Sequence, residues 1–210
     1  MPSPAHDKFR KSMNLDYEAW REGTPYDMEA FAEMTDAEKQ AVIKETKAKG
    51  KGDLDWRDME ILAHDNSNDS FDRLRDELVG GSADTRAKAL RQLYAMKRMN
   101  RAVYDLKLSQ ILDDVTSDDG VTSSLLRVDE YCGEHTRMAL LRGVRDRPDV
   151  ALHFAANLMD QAGLSNDMAA FDPKFRPTLL KLLPDEKPEV RAAALKQVFE
   201  WLKVDPKEIK

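Results

Sequence analysis

The clearest indication of the fold is the sequence Pro188-Glu189-Val190-Arg191-Ala192-Ala193-Ala194-Leu195-Lys196-Gln197-Val198. It opens with a proline and an acid, which suit the first turn of a helix because that turn has free N–H groups and a positive dipole. Residues 83–93 and 148–158 align with it without gaps. All three place a β-branched residue after the acid, small or apolar residues in the middle, and an amide before an aliphatic residue. They predict a recurring amphipathic helix.

The rest of the chain has the same helical character. Proline and glycine fall almost wholly between apolar segments, and no stretch alternates with the period of two that a half-buried strand requires. Start signals include a capping box at Thr35, and stop signals include Gly80-Gly81, Gly133 and Gly163. The sequence predicts an all-α protein, with helices over residues 7–22, 27–34, 36–49, 55–64, 70–79, 83–98, 100–114, 121–132, 134–146, 148–162, 173–183 and 188–204.

The recurring helix begins, counted from its acid or the equivalent position, at residues 84, 120, 149 and 189. The opening of the last copy, Glu189 to Ala194, resembles the second helix of HEAT repeats, in which an acid-Val-Arg-x-Ala-Ala pattern is characteristic. The resemblance covers about residues 71–204 and implies an irregular α-solenoid of stacked antiparallel helix pairs, whose neighbours bury each other's apolar stripes. An ordinary helical bundle would show similar stripes.

Residues 1–70 do not contain the recurring helix. They hold aromatic residues at the spacing of core anchors in short helices, and we interpret these residues as packing groups. We therefore expect a helical N-terminal cap over residues 1–70, followed by HEAT-like helix pairs over residues 71–210, packed as one continuous body. The aromatic anchors are Tyr17, Trp20, Tyr26, Phe31 and Trp56.

Composition bounds the class of protein. The chain has 210 residues, of which 41% are hydrophobic and 34% charged, as in an ordinary globular protein. Its longest apolar run falls far short of the roughly 20 residues that a membrane-spanning helix needs. The first residues lack the apolar core of a secretory signal, and a single cysteine, Cys132, suits a reducing compartment. We expect a cytoplasmic protein without a membrane segment.

Residues that could carry chemistry do not form a recognisable site. The four histidines are scattered without metal-ligand spacing, and Cys132 and His135 lie on either side of a helix break with no group to orient the base. The acidic loop from Asp114 to Gly120 misplaces its glycine for a calcium loop and has Leu125 where a glutamate is needed. We predict no catalytic residue, no metal site and no cofactor.

Charge is distributed unevenly along the chain. Residues 53–79 contain nine acids and three bases, whereas residues 86–107 contain seven bases and one acid. Such runs can steer a partner of opposite charge, or they can be solvated faces that neutralise each other after folding. The acids predicted to contact a partner are Asp55, Asp58, Glu60, Asp65, Asp69, Asp72 and Asp76.

The resemblance and the net charge of -6 lead to a functional expectation. The chain is similar to small, acidic, free-standing HEAT-like proteins that serve as bacterial immunity-type inhibitors of toxins. This implies a non-catalytic module that occludes one protein partner, most concretely a toxin or enzyme with a basic surface. The alternative is a HEAT-like nucleic-acid-binding protein that contacts phosphates through Arg86, Lys97 and Arg101. We rank this alternative second because few aromatic residues, which would stack on nucleic-acid bases, lie among these basic residues in the sequence.

Overall fold

The computed structural model describes residues 2–14, 23–50, 52–164 and 176–209. In these ranges the chain forms twelve α-helices and no β-strand, which confirms the predicted all-α class. A short 3-10 helix, Pro206–Glu208, follows the last of them. The helices are α1 (Pro4–Met13), α2 (Met28–Glu33), α3 (Asp36–Lys47), α4 (Trp56–Asp65), α5 (Asn68–Gly80), α6 (Ala83–Ala95), α7 (Arg101–Asp114), α8 (Val121–Glu130), α9 (Glu134–Asp146), α10 (Pro148–Gln161), α11 (Arg176–Lys181) and α12 (Pro188–Leu202).

Local signals explain where most helices begin. The capping box at Thr35 is confirmed, because its side chain accepts from the Glu38 N–H while the Glu38 carboxylate accepts from the Thr35 N–H. Ser67 and Ser82 cap α5 and α6 in the same simple way, by accepting a backbone N–H three residues later. These caps stabilise each helix by about 1 kcal/mol.

The predicted first helix, 7–22, differs from the structure at its start and at residue 14. Helix α1 begins earlier, at Pro4, with Ser3 as its cap, and it ends at Met13 because Asn14 leaves the helical region with φ -94 and ψ 68. Residues 15–22 lie outside the described ranges. The helix break predicted at Gly133 is confirmed, although α8 ends at Glu130 instead of residue 132 and Gly133 directly precedes α9.

Two helices receive caps from distant residues. Gly133 has no side chain to cap α9, and the buried carboxylate of Asp105 on α7 accepts from the backbone N–H groups of His135 and Thr136, both at 3.0 Å. Asp119, in the turn before α8, likewise accepts from the first N–H groups of α6. Helix ends otherwise leave such N–H groups unsatisfied, so these carboxylates tie one helix pair to the next.

The helices pack in pairs and also in alternate order. Neighbours in sequence pack as α5 with α6, α6 with α7, and α9 with α10. Helices two apart pack as α4 with α6, α6 with α8, α7 with α9, and α8 with α10. One row of helices is therefore α4, α6, α8 and α10, and the helices between them lie beside that row.

The apolar core has two parts that meet at α4. The larger cluster extends from Leu54 to Ile209 and includes the interior faces of α6 to α10. The smaller cluster joins Phe9, Phe31 and neighbouring residues of α1 to α3 with Ile61 of α4. Met59, two positions earlier on α4, belongs to the larger cluster, so α4 is buried on two sides. Burial of each such side chain contributes about 1.5–3 kcal/mol.

Candidate functional site

Asp58 lies inside the protein and not on a surface. Its side chain is 1% exposed and both its oxygens lie 2.7 Å from Nζ of Lys49. It also accepts from the Asp55 N–H at 3.1 Å, which completes a capping box at the start of α4. The prediction that Asp58 contacts a partner is wrong, because its carboxylate is fully used by the fold.

Three further predicted acids of this segment are at least partly buried. Asp55 caps α4 and pairs with Arg57. Asp65 is enclosed at the other end of that helix. Burial opposes its ionisation, but hydrogen bonds from Ser67, Ser70 and Lys47 outweigh this effect and lower the pKa of Asp65. Glu60 is half-buried, and its Oε2 has no hydrogen-bond partner. These acids are poorly placed for contact with a macromolecule.

The remaining predicted acids form one exposed stripe along α5. Asp69, Asp72 and Asp76 follow each other at helical spacing, and Val79 continues the stripe. Val79 is 76% exposed, the most exposed large apolar side chain in the described part of the chain. Asp72 pairs with Arg75 at 3.1 Å, whereas Asp69 and Asp76 form no ion pair with any described residue. We call Asp69, Asp72, Asp76 and Val79 the α5 stripe.

The structure does not bring the three predicted phosphate-binding residues together. Arg86 lies near the start of α6, where its guanidinium pairs with Asp114. Lys97 and Arg101 are exposed beyond the other end of that helix, and a helix rises 1.5 Å per residue, so roughly 15 Å separates them from Arg86 along the axis. Arg101 lies over the Tyr131 ring, with 5.6 Å from Cζ to the centroid.

A basic groove lies between α4, α6 and α8, and it was not predicted from the sequence. It has a volume of about 170 Å³ and is lined by Trp56, Lys88, Arg91, Gln92, Ser123, Leu126 and Arg127. Lys88, Arg91 and Gln92 have the spacing of one helix face, which is a readable signal. Trp56 and Arg127 come from helices that pack on α6 from either side, and local spacing does not reveal this.

The charges of the groove are only partly neutralised. Lys88 pairs with Asp84, which also accepts a hydrogen bond from the Ser123 hydroxyl. Arg91 and Arg127 share one acid, Glu130, at 3.4 and 3.0 Å. Three cations thus face two carboxylates. Burial lowers the pKa of the Arg127 guanidinium, and Glu130 opposes this effect.

The described residues contain neither a membrane-spanning helix nor a cluster of metal ligands. None of the helices there has both the length and the apolar character needed to cross a membrane. In the same ranges, no group of three or more histidine, cysteine or acidic side chains is arranged to hold a metal ion.

The geometry gives two surfaces of opposite charge, the α5 stripe and the basic groove. Neither resembles a known site through homology, because no family model, curated protein or solved structure matches this chain.

Proposed function

We propose that this protein is a non-catalytic module that binds one protein partner through the α5 stripe. The observation that carries the proposal is one helix face that combines a highly exposed valine with two acids, Asp69 and Asp76, that pair with no described residue. Exposed acids accelerate encounter with a basic surface, and an apolar side chain among them gains free energy when the partner covers it. Such a pairing of charge and apolar surface is typical of protein interfaces.

The proposed architecture is an irregular α-solenoid of HEAT-like helix pairs over residues 71–210, with residues 1–70 as a helical cap. Packing between helices two apart in sequence supports it, because stacked helix pairs bury their apolar stripes in this way. In such an array α5 belongs to one of the first pairs. Its position near the proposed cap leaves its outer side uncovered by the described helices.

The most concrete form of this function is an immunity-type inhibitor that occludes a toxin or enzyme. The support is the resemblance of residues 71–204 to HEAT repeats, together with the small size of the chain and its net charge of -6, which are similar to those of free-standing HEAT-like immunity proteins. An acidic stripe can occupy the basic surface with which a partner would otherwise contact phosphates. The inhibited activity therefore belongs to the partner and not to this chain.

A second candidate function, nucleic-acid binding, has one observation in its favour. Arg101 contacts the Tyr131 ring and lies 3.4 Å from the Tyr94 hydroxyl, so a cation and two aromatic rings meet beside Lys97. Single strands are bound by such combinations. Arg86 has no part in this arrangement because it pairs with Asp114 elsewhere.

The test is a tagged pull-down from the lysate of the source organism, with and without nuclease. We expect one stoichiometric protein that survives nuclease treatment and is lost when Asp69, Asp72 and Asp76 are all changed to lysine. The matched control changes three exposed acids elsewhere, Asp118, Asp160 and Glu186, to lysine and has the same net charge. If the α5 variant still retains the partner protein, or if both variants lose it equally, the proposal is contradicted. Retention of nucleic acid alone would support the second candidate.

A further inference from the structure

The groove between α4, α6 and α8 contains hydrogen-bonding groups that the fold leaves unused. Gln92 is 8% exposed, lines the groove, and forms no side-chain hydrogen bond with any described residue. Its amide can therefore serve a ligand in the groove as both a hydrogen-bond donor and an acceptor.

Arg127 is the second such group. Its side chain is 11% exposed, and Nη1 lies 3.0 Å from Glu130 without the geometry of a hydrogen bond, so this nitrogen has no hydrogen-bond partner. Burial of a guanidinium is costly unless its N–H groups are satisfied. An oxyanion in the groove would accept from Arg127 in the bidentate geometry that this side chain favours.

Two more cations complete the positive side of the groove. Arg91 is half-exposed and its pairing with Glu130 is long, at 3.4 Å, so this pairing contributes little and can exchange for a stronger one. Lys88 comes from the preceding turn of the same helix, and its pairing with Asp84 is also partly exposed. Both side chains can turn toward an anion without loss of a buried contact.

The other walls of the groove are apolar. Trp56 contributes a partly exposed indole from the first turn of α4, and Leu126 is 51% exposed on α8. An indole face gives about 1–3 kcal/mol when a flat ring stacks on it. The groove therefore offers a stacking surface beside a set of oxyanion donors.

We propose that this groove binds a nucleoside monophosphate, with Arg91, Arg127 and Lys88 around the phosphate and Trp56 against the base. The size of the groove favours a single nucleotide over a strand. Its volume of about 170 Å³ is below the range of about 300–1,000 Å³ that is usual for small-molecule pockets. It accommodates one phosphate and part of one ring.

The acids around the groove also favour a single nucleotide over a strand. Asp84 and Glu130 flank the cations, and Asp129 is exposed on the same helix as Arg127. A strand that continued past the groove would bring its next phosphates toward these carboxylates. A ligand with one phosphate meets less of that repulsion than a strand with several. The groove is formed by α4, α6 and α8, and its binding of nucleotide does not depend on the protein partner proposed for α5.

The test is titration of the full chain at low salt with adenosine 5′-monophosphate, inorganic phosphate and adenosine, followed by heteronuclear NMR. We expect the nucleotide to bind at least about tenfold more tightly than phosphate, since stacking of about 1.4 kcal/mol corresponds to that ratio. Adenosine should bind more weakly still. The indole N–H resonance of Trp56 and the side-chain resonances of Arg127 and Gln92 should shift.

Variants separate this site from general attraction of anions. Arg91→Gln and Trp56→Leu should each weaken nucleotide binding about tenfold or more. Lys196→Gln, which removes one exposed positive charge on α12 away from the groove, should leave it unchanged. Thermal unfolding of each variant shows whether it is folded, and Lys88→Gln replaces any variant that is not. Equal binding of phosphate and nucleotide, equal weakening by Lys196→Gln, or no shift at Trp56 up to about 10 mM nucleotide would overturn the proposal.

Discussion

Helices α4 and α5 lie next to each other and both are rich in acids, yet they use those acids in opposite ways. Asp55, Asp58 and Asp65 cap or flank α4 and are held by lysine, arginine or serine partners. Asp69 and Asp76 on α5 are exposed without ion pairs to described residues. Local charge density therefore does not indicate a binding surface, because acids at the same density can be used for helix caps and buried ion pairs.

The largest effect expected from this comparison is on stability. Asp58→Ala removes the carboxylate that pairs with Lys49 and caps α4, and it leaves Lys49 without a partner in a partly buried place. We expect a loss of about 2–4 kcal/mol in the free energy of unfolding, measured by urea denaturation. Asp76→Ala, on the exposed stripe, should change that free energy by less than about 0.5 kcal/mol. Similar losses for the two variants would contradict the distinction between the buried acids of α4 and the exposed acids of α5.

A smaller, pH-dependent effect is expected at Asp65. Its folded pKa is lowered, so its charged form stabilises the fold above the unfolded pKa of about 3.9, and this contribution is lost as pH falls through the folded pKa. Asp65→Asn should therefore cost about 1–2 kcal/mol at pH 7, and the difference from the unchanged protein should shrink below about pH 4. Urea unfolding curves of both proteins between these pH values measure this difference in the free energy of unfolding. A difference that stays constant with pH would contradict the role of the charge.

The smallest effect on the fold is expected from the α5 stripe itself. Changing Asp69, Asp72 and Asp76 to lysine should alter the free energy of unfolding by no more than about 1 kcal/mol, because surface substitutions away from buried contacts have small effects. The same variant should slow association with a basic partner more at low salt than at high salt. Thermal unfolding and association kinetics on one sample measure both. Unchanged association at low salt would remove the acidic stripe from the interface.

Most of the helix boundaries could be predicted because their causes are local. Four helices begin at a capping side chain or a first-turn proline, which lies within one turn of the helix start. These residues are Thr35, Ser82, Pro148 and Pro188. The end of α1 at Met13 was missed, since the sequence after it has no glycine or proline close by to indicate a stop. Caps such as that of α9, supplied by Asp105 from another helix, have no local signal at all.

The candidate sites could be predicted only in part. The stripe of α5 follows from helical spacing, but the burial of Asp58 does not, because α4 lies between two apolar clusters and most of its circumference is covered. The groove depends on contacts between helices two apart in the fold. Spacing within α6 pairs Lys88 with Arg91, whereas Arg127 and Trp56 join them only after the helices pack.

The carboxylate of Asp105 has a consequence for how the molecule comes apart. It holds the first N–H groups of α9 from within α7, and Asp119 does the same for α6 from the turn before α8. When α7 unravels, α9 loses this cap and frays from that end. When the turn before α8 opens, α6 keeps its Ser82 cap but loses the hydrogen bonds of its first two N–H groups. Stacked helix pairs with only nearest-neighbour contacts can unzip one at a time. Here the borrowed caps join successive pairs, so a pulling force or a denaturant meets a cooperative unit larger than one pair.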